Sequence, residues 1–232
     1  DVRRNLLHMK ALTTVSRSLC LDTAMSLDRA KVSGSSFLMS RAAFLIPIAK
    51  AFSTDNGCRV SDIGMQVHGG LGFIESSGAP QLYRDVRITA IYEGTNGIQA
   101  MDLVNRKLSD GGKIGFSLID ECGSTERLCY EMGIIRNESI HEFSNARQML
   151  VDALRWMLDA GSLNERYSGA SQFLKAFGLV LGGHYLLKGA AKSKNKEKVY
   201  LADFYIEHIL PESYGAIKSA CRGSESLYRL SV

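Results

Sequence analysis

Two stretches decide the fold and the candidate site of this sequence: QVHGGLGF at residues 66–73 and YRDVRITAIYEGTNGIQ at residues 83–99. The glycines of the first stretch predict a helix end followed by a loop over residues 68–78. Because glycine has no Cβ, such backbone can approach a ligand closely, and it suits a phosphate or pyrophosphate. A Gly-Gly-x-Gly run more often only ends a helix, however, and this one is not the G-x-G-x-x-G dinucleotide fingerprint.

The second stretch places an acidic residue, Glu93, in a turn between two helical segments, next to Gly94 and Thr95. One interpretation is helix capping, because an acid near the start of a helix interacts favourably with the helix dipole. The other is a carboxylate on a helix break that points into a cleft, where loss of water makes it a stronger base. Residue pattern alone favours the capping interpretation.

Outward from these stretches the chain shows helical periodicity and no convincing strand pattern. Only 3 of the 232 residues are proline, which permits long helices. Residues 33–36, Ser-Gly-Ser-Ser, predict a helix break followed by N-cap residues. The predicted helices cover residues 2–32, 36–67, 80–90, 95–108, 138–160, 166–192 and 196–222, and the pattern over 109–136 is mixed. We therefore predict an all-α chain with a helical bundle over residues 1–108, a connecting segment over 109–136 and a helical module over 137–232.

Composition excludes several classes of protein. The formal charge is +4, with 28 basic and 24 acidic residues, and no dense basic patch argues for nucleic acid. The five cysteines form no C-x-x-C pair, so neither a disulfide framework nor a metal site is predicted, and a reducing, cytoplasmic location fits best. We find no continuous apolar run of about 18 residues and predict no membrane span. The chain begins Asp-Val-Arg-Arg without Met, which we interpret as part of a longer protein.

Taken together, the two stretches resemble the acyl-CoA dehydrogenase family, in which both occur at this spacing on helices. The resemblance covers residues 1–108 and implies the family's C-terminal four-helix up-and-down bundle, which follows an N-terminal helical domain and a middle β-domain. Residues 110–232 resemble the C-terminal helical extension of one larger subgroup. Asn96-Gly97 and DLVNRKL at residues 102–108 also resemble that subgroup. We identify no chemistry in the extension.

The resemblance implies an FAD-dependent enzyme that removes the α-proton of an acyl-CoA thioester and passes the β-hydrogen as a hydride to flavin N5, giving a trans-2-enoyl-CoA. Glu93 matches the family's catalytic base. Gly94 matches a backbone contact near the substrate thioester, and Thr95 matches a contact to the flavin. Gly97 occupies a position where many relatives hold FAD with a Gln. The residues that match the segment covering the FAD adenosine and pyrophosphate of a neighbouring subunit are Gln66, Val67, His68, Gly69 and Gly70.

The implied partners are an acyl-CoA substrate, an electron-acceptor flavoprotein and further copies of the chain in a homo-oligomer. Because the family's flavin also packs against upstream domains, we expect the isolated chain to be inactive. The alternative is a non-catalytic binding or scaffold module derived from the same fold, and the presence of Glu93 argues against it. Other notable residues are predicted to be structural: an Arg84–Asp85 helix pair, a hydrogen-bonded core histidine at His184, inert thiols at Cys122 and Cys129, and core aromatic rings at Phe173 and Phe177.

Overall fold

The computed structural model describes residues 1–193, 195–229 and 231. This part of the chain contains nine α-helices, short 3₁₀ turns and no strand, which confirms the all-α prediction. The helices are α1 (Val2–Ser33), α2 (Ser36–His68), α3 (Ala79–Arg87), α4 (Asn96–Asn105), α5 (Lys113–Met132), α6 (Asn137–Asp159), α7 (Leu163–Ser193), α8 (Lys196–His208) and α9 (Glu212–Ala220).

Helices α1 and α2 form a long hairpin that carries the rest of the bundle. Gly34 ends α1 in the left-handed conformation, with a φ of +67°, and its N–H donates to the Ala30 carbonyl at 2.9 Å. Ser35 then caps α2, because its hydroxyl accepts from the Leu38 N–H at 3.3 Å. The break predicted at residues 33–36 is confirmed, and the short connection lays the two helices side by side.

A hydrophobic core shared by both halves of the chain runs through the described residues. Helix α7 lies within it. The ring of Phe177 packs on Phe44 of α2 at a centroid distance of 5.2 Å and on Phe173 at 5.9 Å. Gly178 lets α7 approach α2 closely, since a Cβ there would lie 2.5 Å from the ring of Phe52. The core positions predicted for Phe173 and Phe177 are confirmed, and the helical module packs directly on the bundle.

A buried polar network also joins the two halves. The guanidinium of Arg41 donates to Ser26 at 2.6 Å, to Asp22 at 2.9 Å and to Glu121 of α5 at 3.0 Å. Tyr185 of α7 donates to the same Asp22 carboxylate at 2.8 Å. Burial opposes the charge of Arg41, but the hydrogen bonds to Glu121 and Asp22 outweigh it and raise the Arg41 pKa. The network therefore fixes α5 and α7 against α1 and α2 through a permanent cation.

Two helix predictions differ from the structure. The mixed segment 109–136 contains a regular helix, α5, whose buried face includes Thr125, Cys122 and Cys129 in addition to aliphatic side chains, which blurred the apolar pattern. The single helix predicted over 196–222 is wrong, because the chain breaks between α8 and α9. Pro211 causes this break: it lacks an N–H to donate and disfavours helical backbone in the preceding residue.

The buried titratable groups of the extension behave as core residues. His184 is 2% exposed, and burial lowers its pKa to about 4, so the imidazole is neutral at pH 7. Its Nδ1 has no hydrogen-bond partner within the described ranges, so the prediction of a fully hydrogen-bonded histidine is wrong in that respect. Cys122 and Cys129 are buried, and burial raises the pKa of both thiols, which supports their inertness.

One helical segment of the described chain, Ser36–Phe73, is long and apolar enough to cross a membrane, and half of its most apolar stretch is buried inside the protein. A helix in the core of a water-soluble protein can have the same length and composition, so this segment is weak evidence for a membrane span. The packing of α2 against α1, α3, α4 and α7 assigns it to the core.

Candidate functional site

The turn between α3 and α4 holds Glu93 in a strained backbone conformation. Glu93 has a φ of +55° and is the only non-glycine residue at positive φ in the part of the chain that the structure describes. Gly94 follows with a φ of +84°. A left-handed conformation costs a residue with a Cβ roughly 1–2 kcal/mol, so it persists only where its surroundings enforce it. Glu93 is exposed, and its carboxylate has no hydrogen bond or ion pair to the described residues.

Hydrogen bonds from α4 hold the turn from one side. The side-chain amide of Gln99 donates to the Glu93 carbonyl at 3.0 Å. Thr95 is the N-cap of α4, and its hydroxyl accepts from the Ile98 N–H at 3.4 Å. The helix-capping interpretation offered for Glu93 is therefore wrong, because Thr95 caps α4. Glu93 lies outside the helix, and its carboxylate bonds to no side chain or backbone group of the described residues.

Helix α2 holds the turn from the other side through residues that the sequence did not identify. The ammonium of Lys50 donates to the Gly94 carbonyl at 2.7 Å and to Asn96 Oδ1 at 2.8 Å. The Asn96 amide nitrogen donates to Asp55 at 2.7 Å and to Thr54 at 3.0 Å. These four positions form a network, here called the α2–α4 clamp: Lys50, Thr54, Asp55 and Asn96. Lys50 and Thr54 are four residues apart and lie on one face of α2, which is a weak sequence signal for the network.

The glycine segment lies at the far end of α2. Gln66, Val67 and His68 form its last turn, and Nδ1 of His68 lies 2.8 Å from the Gly64 carbonyl. Gly69 ends the helix with a φ of +60° and a ψ of −140°, a combination that strongly favours glycine. The φ of Gly70 lies outside the left-handed region, and a Cβ placed on it would meet no atom of the described residues within 4 Å. Packing against the described residues therefore does not require a glycine at this position.

The two predicted clusters are not brought together. Asn96 is bonded to Asp55, and His68 follows Asp55 by thirteen residues, which corresponds to about 20 Å along α2 at 1.5 Å per residue. Thr95 and Gly97 lie with Glu93 and Gly94 at the N-terminal end of α4, whereas residues 66–70 lie at the C-terminal end of α2. The predicted site residues of one chain therefore lie on two separate surfaces.

Arg84 is paired differently from the prediction. It forms a two-pronged ion pair with Glu75, at 2.6 and 3.1 Å, and not with its neighbour Asp85. Adjacent residues on a helix point in different directions, which explains the error. The hydrogen bond to Arg84 lowers the Glu75 pKa, and the reciprocal bond raises the Arg84 pKa. This pair ties the loop after the glycines to α3.

Exposed apolar side chains surround both stretches. Phe73 is 82% exposed, Leu71 68% and Tyr92 51%, and Ile88 and Ile98 are also more than half exposed. Single exposed apolar residues are ordinary, but a concentration of them is typical of a surface that another domain, subunit or ligand covers. In the described part of the chain, no group of acidic, His and Cys side chains is arranged to hold a metal ion.

Comparison with known proteins assigns the chain to a family. Residues 1–108 match the family model described as "Acyl-CoA dehydrogenase, C-terminal domain", and residues 132–231 match the one described as "Acetyl-CoA dehydrogenase C-terminal like". The chain belongs to the acyl-CoA dehydrogenase family. The two matched regions are the helical bundle with its candidate turn and most of the helical extension.

Individual acyl-CoA dehydrogenases support this membership. The chain is 34% identical to 3-methylmercaptopropionyl-CoA dehydrogenase of Ruegeria pomeroyi over 91% of its length, and 26% identical to butyryl-CoA dehydrogenase of Syntrophomonas wolfei over 94%. It spans 39% of the length of each of these two relatives. The solved structure of Caenorhabditis elegans ACDH-11 in complex with C11-CoA shares the fold, with a TM-score of 0.69 at 22% identity, over 89% of this chain and 36% of that one.

Proposed function

We propose that this chain forms the C-terminal part of an FAD-dependent acyl-CoA dehydrogenase, with Glu93 as the catalytic base. The observation that carries the proposal is the conformation of Glu93: a non-glycine residue at positive φ, held from both α2 and α4, with its carboxylate free of partners in the described chain. Strain that the surroundings enforce at a helix break is typical of a functional residue. A side chain serving only as a helix cap would make the capping hydrogen bond that Thr95 makes instead.

In the proposed reaction, Glu93 takes the proton from the α-carbon of an acyl-CoA thioester while the β-hydrogen leaves as a hydride. Bound FAD supplies the acceptor for that hydride. The electron pair of the α-C–H bond becomes the second bond between the α- and β-carbons, and the Glu93 carboxylate ends protonated. Gly94, at the same turn, is the proposed backbone contact near the thioester. A carboxylate base works best where water is excluded, so the exposed turn requires a cover from substrate, flavin and other segments of the protein.

The glycine segment and the start of α4 both fit an FAD. Gly70 leaves open space over exposed backbone, and no atom of the described residues occupies it. This space suits the close approach of a pyrophosphate, with Gln66, Val67, His68 and Gly69 beside it. Thr95 and Gly97 lie at a helix N-terminus, where an anionic or electron-rich group is favoured. Since the two surfaces are about 20 Å apart along α2, we propose that they contact FAD molecules of different subunits in a homo-oligomer.

Substitution of Gly70 tests the FAD contact. A leucine there is expected to leave the folding of the chain unchanged, because its Cβ meets no atom of the described residues within 4 Å. It is expected to weaken FAD binding about tenfold or more by blocking the approach of the cofactor. FAD retention of the purified full-length protein is measured by flavin absorbance, and unfolding by circular dichroism. Gly215→Leu is the matched control, since Gly215 is also exposed and helical, and a Cβ there would meet no other atom of the described chain within 4 Å. Equal FAD retention in both variants would contradict the assignment.

The function itself is tested by mixing the full-length, FAD-loaded protein anaerobically with butyryl-CoA or 3-methylmercaptopropionyl-CoA, the acyl groups for which the two relatives are named. We expect bleaching of the flavin absorbance and formation of the trans-2-enoyl-CoA. The isolated 232-residue chain is expected to purify without stoichiometric FAD and to give no product. A flavin that no acyl-CoA reduces would favour the scaffold alternative. An isolated chain that purifies with stoichiometric FAD and forms product would overturn the expected inactivity of the chain alone.

A further inference from the structure

The ammonium group of Lys50 bonds two neutral oxygens and no carboxylate of the described residues. Its side chain is half-buried at the face of α2 that meets α4, and it forms no ion pair with a carboxylate in the described chain. Both of its hydrogen bonds go instead to neutral oxygens, the Gly94 carbonyl at 2.7 Å and Asn96 Oδ1 at 2.8 Å. A lysine ammonium has three donors and is strongly hydrated, so its partial burial against two neutral acceptors indicates a specific use of those donors.

The two acceptors of Lys50 flank the site of backbone strain. Gly94 follows Glu93 directly, and its carbonyl orientation is set by the same left-handed pair of residues, with φ values of +55° and +84°. Gln99 fixes the Glu93 carbonyl, but Gln99 belongs to α4, the helix that directly follows the turn. Lys50 belongs to α2, a core helix, and bonds the turn across 44 residues of sequence. Its hydrogen bond to Gly94 therefore anchors the turn directly to α2.

The other residues of the α2–α4 clamp also hold the start of α4 against α2. Asn96, the first residue of α4, accepts from Lys50 and donates to Thr54 and Asp55, so its amide is oriented on α2. Without the ammonium, the Gly94 carbonyl loses its only side-chain donor in the described chain, and the turn is free to relax toward ordinary φ values. That relaxation would rotate the Cα–Cβ bond of Glu93, and thus move its carboxylate.

We propose that Lys50 is a positioning residue that holds the Glu93 carboxylate in its reactive orientation through the Gly94 carbonyl and Asn96. The inference rests on the proposed function of Glu93. Lys50 does not touch the reacting atoms in this account, because both of its bonds go to backbone and amide oxygens of the turn. Its loss should affect the chemical step far more than substrate or flavin binding, since a base displaced by about 1 Å can lose roughly 100-fold in rate.

The experiment compares Lys50→Met, Lys50→Arg, Glu93→Gln and the double variant Glu93→Gln/Lys50→Met in the full-length, FAD-loaded protein, with butyryl-CoA as the probe. Lys50→Met is expected to lower kcat roughly 10- to 100-fold, with KM within about twofold and FAD content unchanged. Lys50→Arg, which retains cationic donors, is expected to recover part of the rate. The matched control is Lys31→Met, because Lys31 is exposed and makes no polar side-chain contact in the described chain.

The double variant separates positioning from general stabilisation. If Lys50 acts only through Glu93, its removal costs little further rate once Glu93 is already Gln, so the two losses are strongly non-additive. Additive losses, or a Lys50→Met kcat equal to that of Lys31→Met, would overturn the inference while a slow Glu93→Gln variant leaves the proposed function intact. An unchanged rate in Glu93→Gln would overturn both. Should Lys50→Met fail to retain FAD, Lys50→Gln replaces it, and an unchanged kcat there is equally contradictory.

Discussion

Replacement of Glu93 by Gln is expected to slow flavin reduction by an acyl-CoA roughly 10²- to 10⁴-fold, the range over which positioned general bases contribute. Gln has nearly the shape of Glu but cannot accept the α-proton as a base. The side chain of Glu93 makes no hydrogen bond to the described residues, so its replacement should leave the fold intact. The measurement is the anaerobic rate of flavin reduction by butyryl-CoA or 3-methylmercaptopropionyl-CoA in the full-length protein.

The control for this experiment is a second exposed glutamate of the same chain. Glu131 lies on α5 and makes no ion pair in the described chain, so Glu131→Gln changes the net charge equally without touching the turn. Both variants should retain FAD. A rate within about threefold of the parent for Glu93→Gln would assign the base to another residue. It would also leave the strain at Glu93, with its φ of +55°, without a chemical explanation.

The sequence predicted the local features of the candidate site but not the contacts that hold it. The helix break at Glu93, the end of α2 at the paired glycines and the start of α4 at Thr95 all follow from local residue chemistry. The α2–α4 clamp does not, because Lys50 and Asn96 are 46 residues apart and no local pattern pairs them. Likewise, the partner of Arg84 is nine residues away across a loop, beyond any helical spacing rule.

The positive φ of Glu93 also lies beyond sequence reasoning. Glycine, asparagine and aspartate visit the left-handed region readily, whereas a glutamate there is enforced by tertiary contacts that only the fold supplies. The helices predicted over 138–160 and 166–192 are confirmed, whereas the predictions over 109–136 and 196–222 failed for a related reason. Helix α5 buries thiols and a threonine among its aliphatic side chains, and the break between α8 and α9 depends on the single Pro211. In each case one or two residues decide the outcome within an otherwise ambiguous pattern.

The predicted division of the chain into a bundle over residues 1–108 and a module over 137–232 can be tested by unfolding, because independent domains unfold separately. The described residues form a common core in which Phe177 of α7 contacts Phe44 of α2, and Arg41 of α2 bonds Glu121 of α5. Contacts of this kind couple the two halves energetically. We therefore expect them to unfold together, in contrast to domains joined by a flexible linker.

Phe177→Ala is the substitution that tests this coupling most strongly. Phe177 is fully buried and packs against aromatic rings from both halves of the chain, so its truncation leaves a cavity at their junction. Removal of a buried phenylalanine side chain costs about 3–5 kcal/mol. A loss of that size is a large part of the roughly 5–15 kcal/mol that stabilises a typical folded protein. We expect the free energy of unfolding in urea to fall by this amount for the 232-residue chain.

The shape of the unfolding curve decides between one cooperative unit and two. If the halves share their core, Phe177→Ala shifts a single transition, because loss of packing in α7 removes the support of α2 as well. If they are independent domains, two transitions appear and the substitution moves only one. The control is Tyr130→Ala, an exposed aromatic on α5, which should change stability by no more than about 0.5 kcal/mol. Unfolding is followed by circular dichroism and by the fluorescence of Trp156, a partly buried residue beside the core. Coincident curves from the two measurements would identify the extension as an integral part of the fold that supports Glu93.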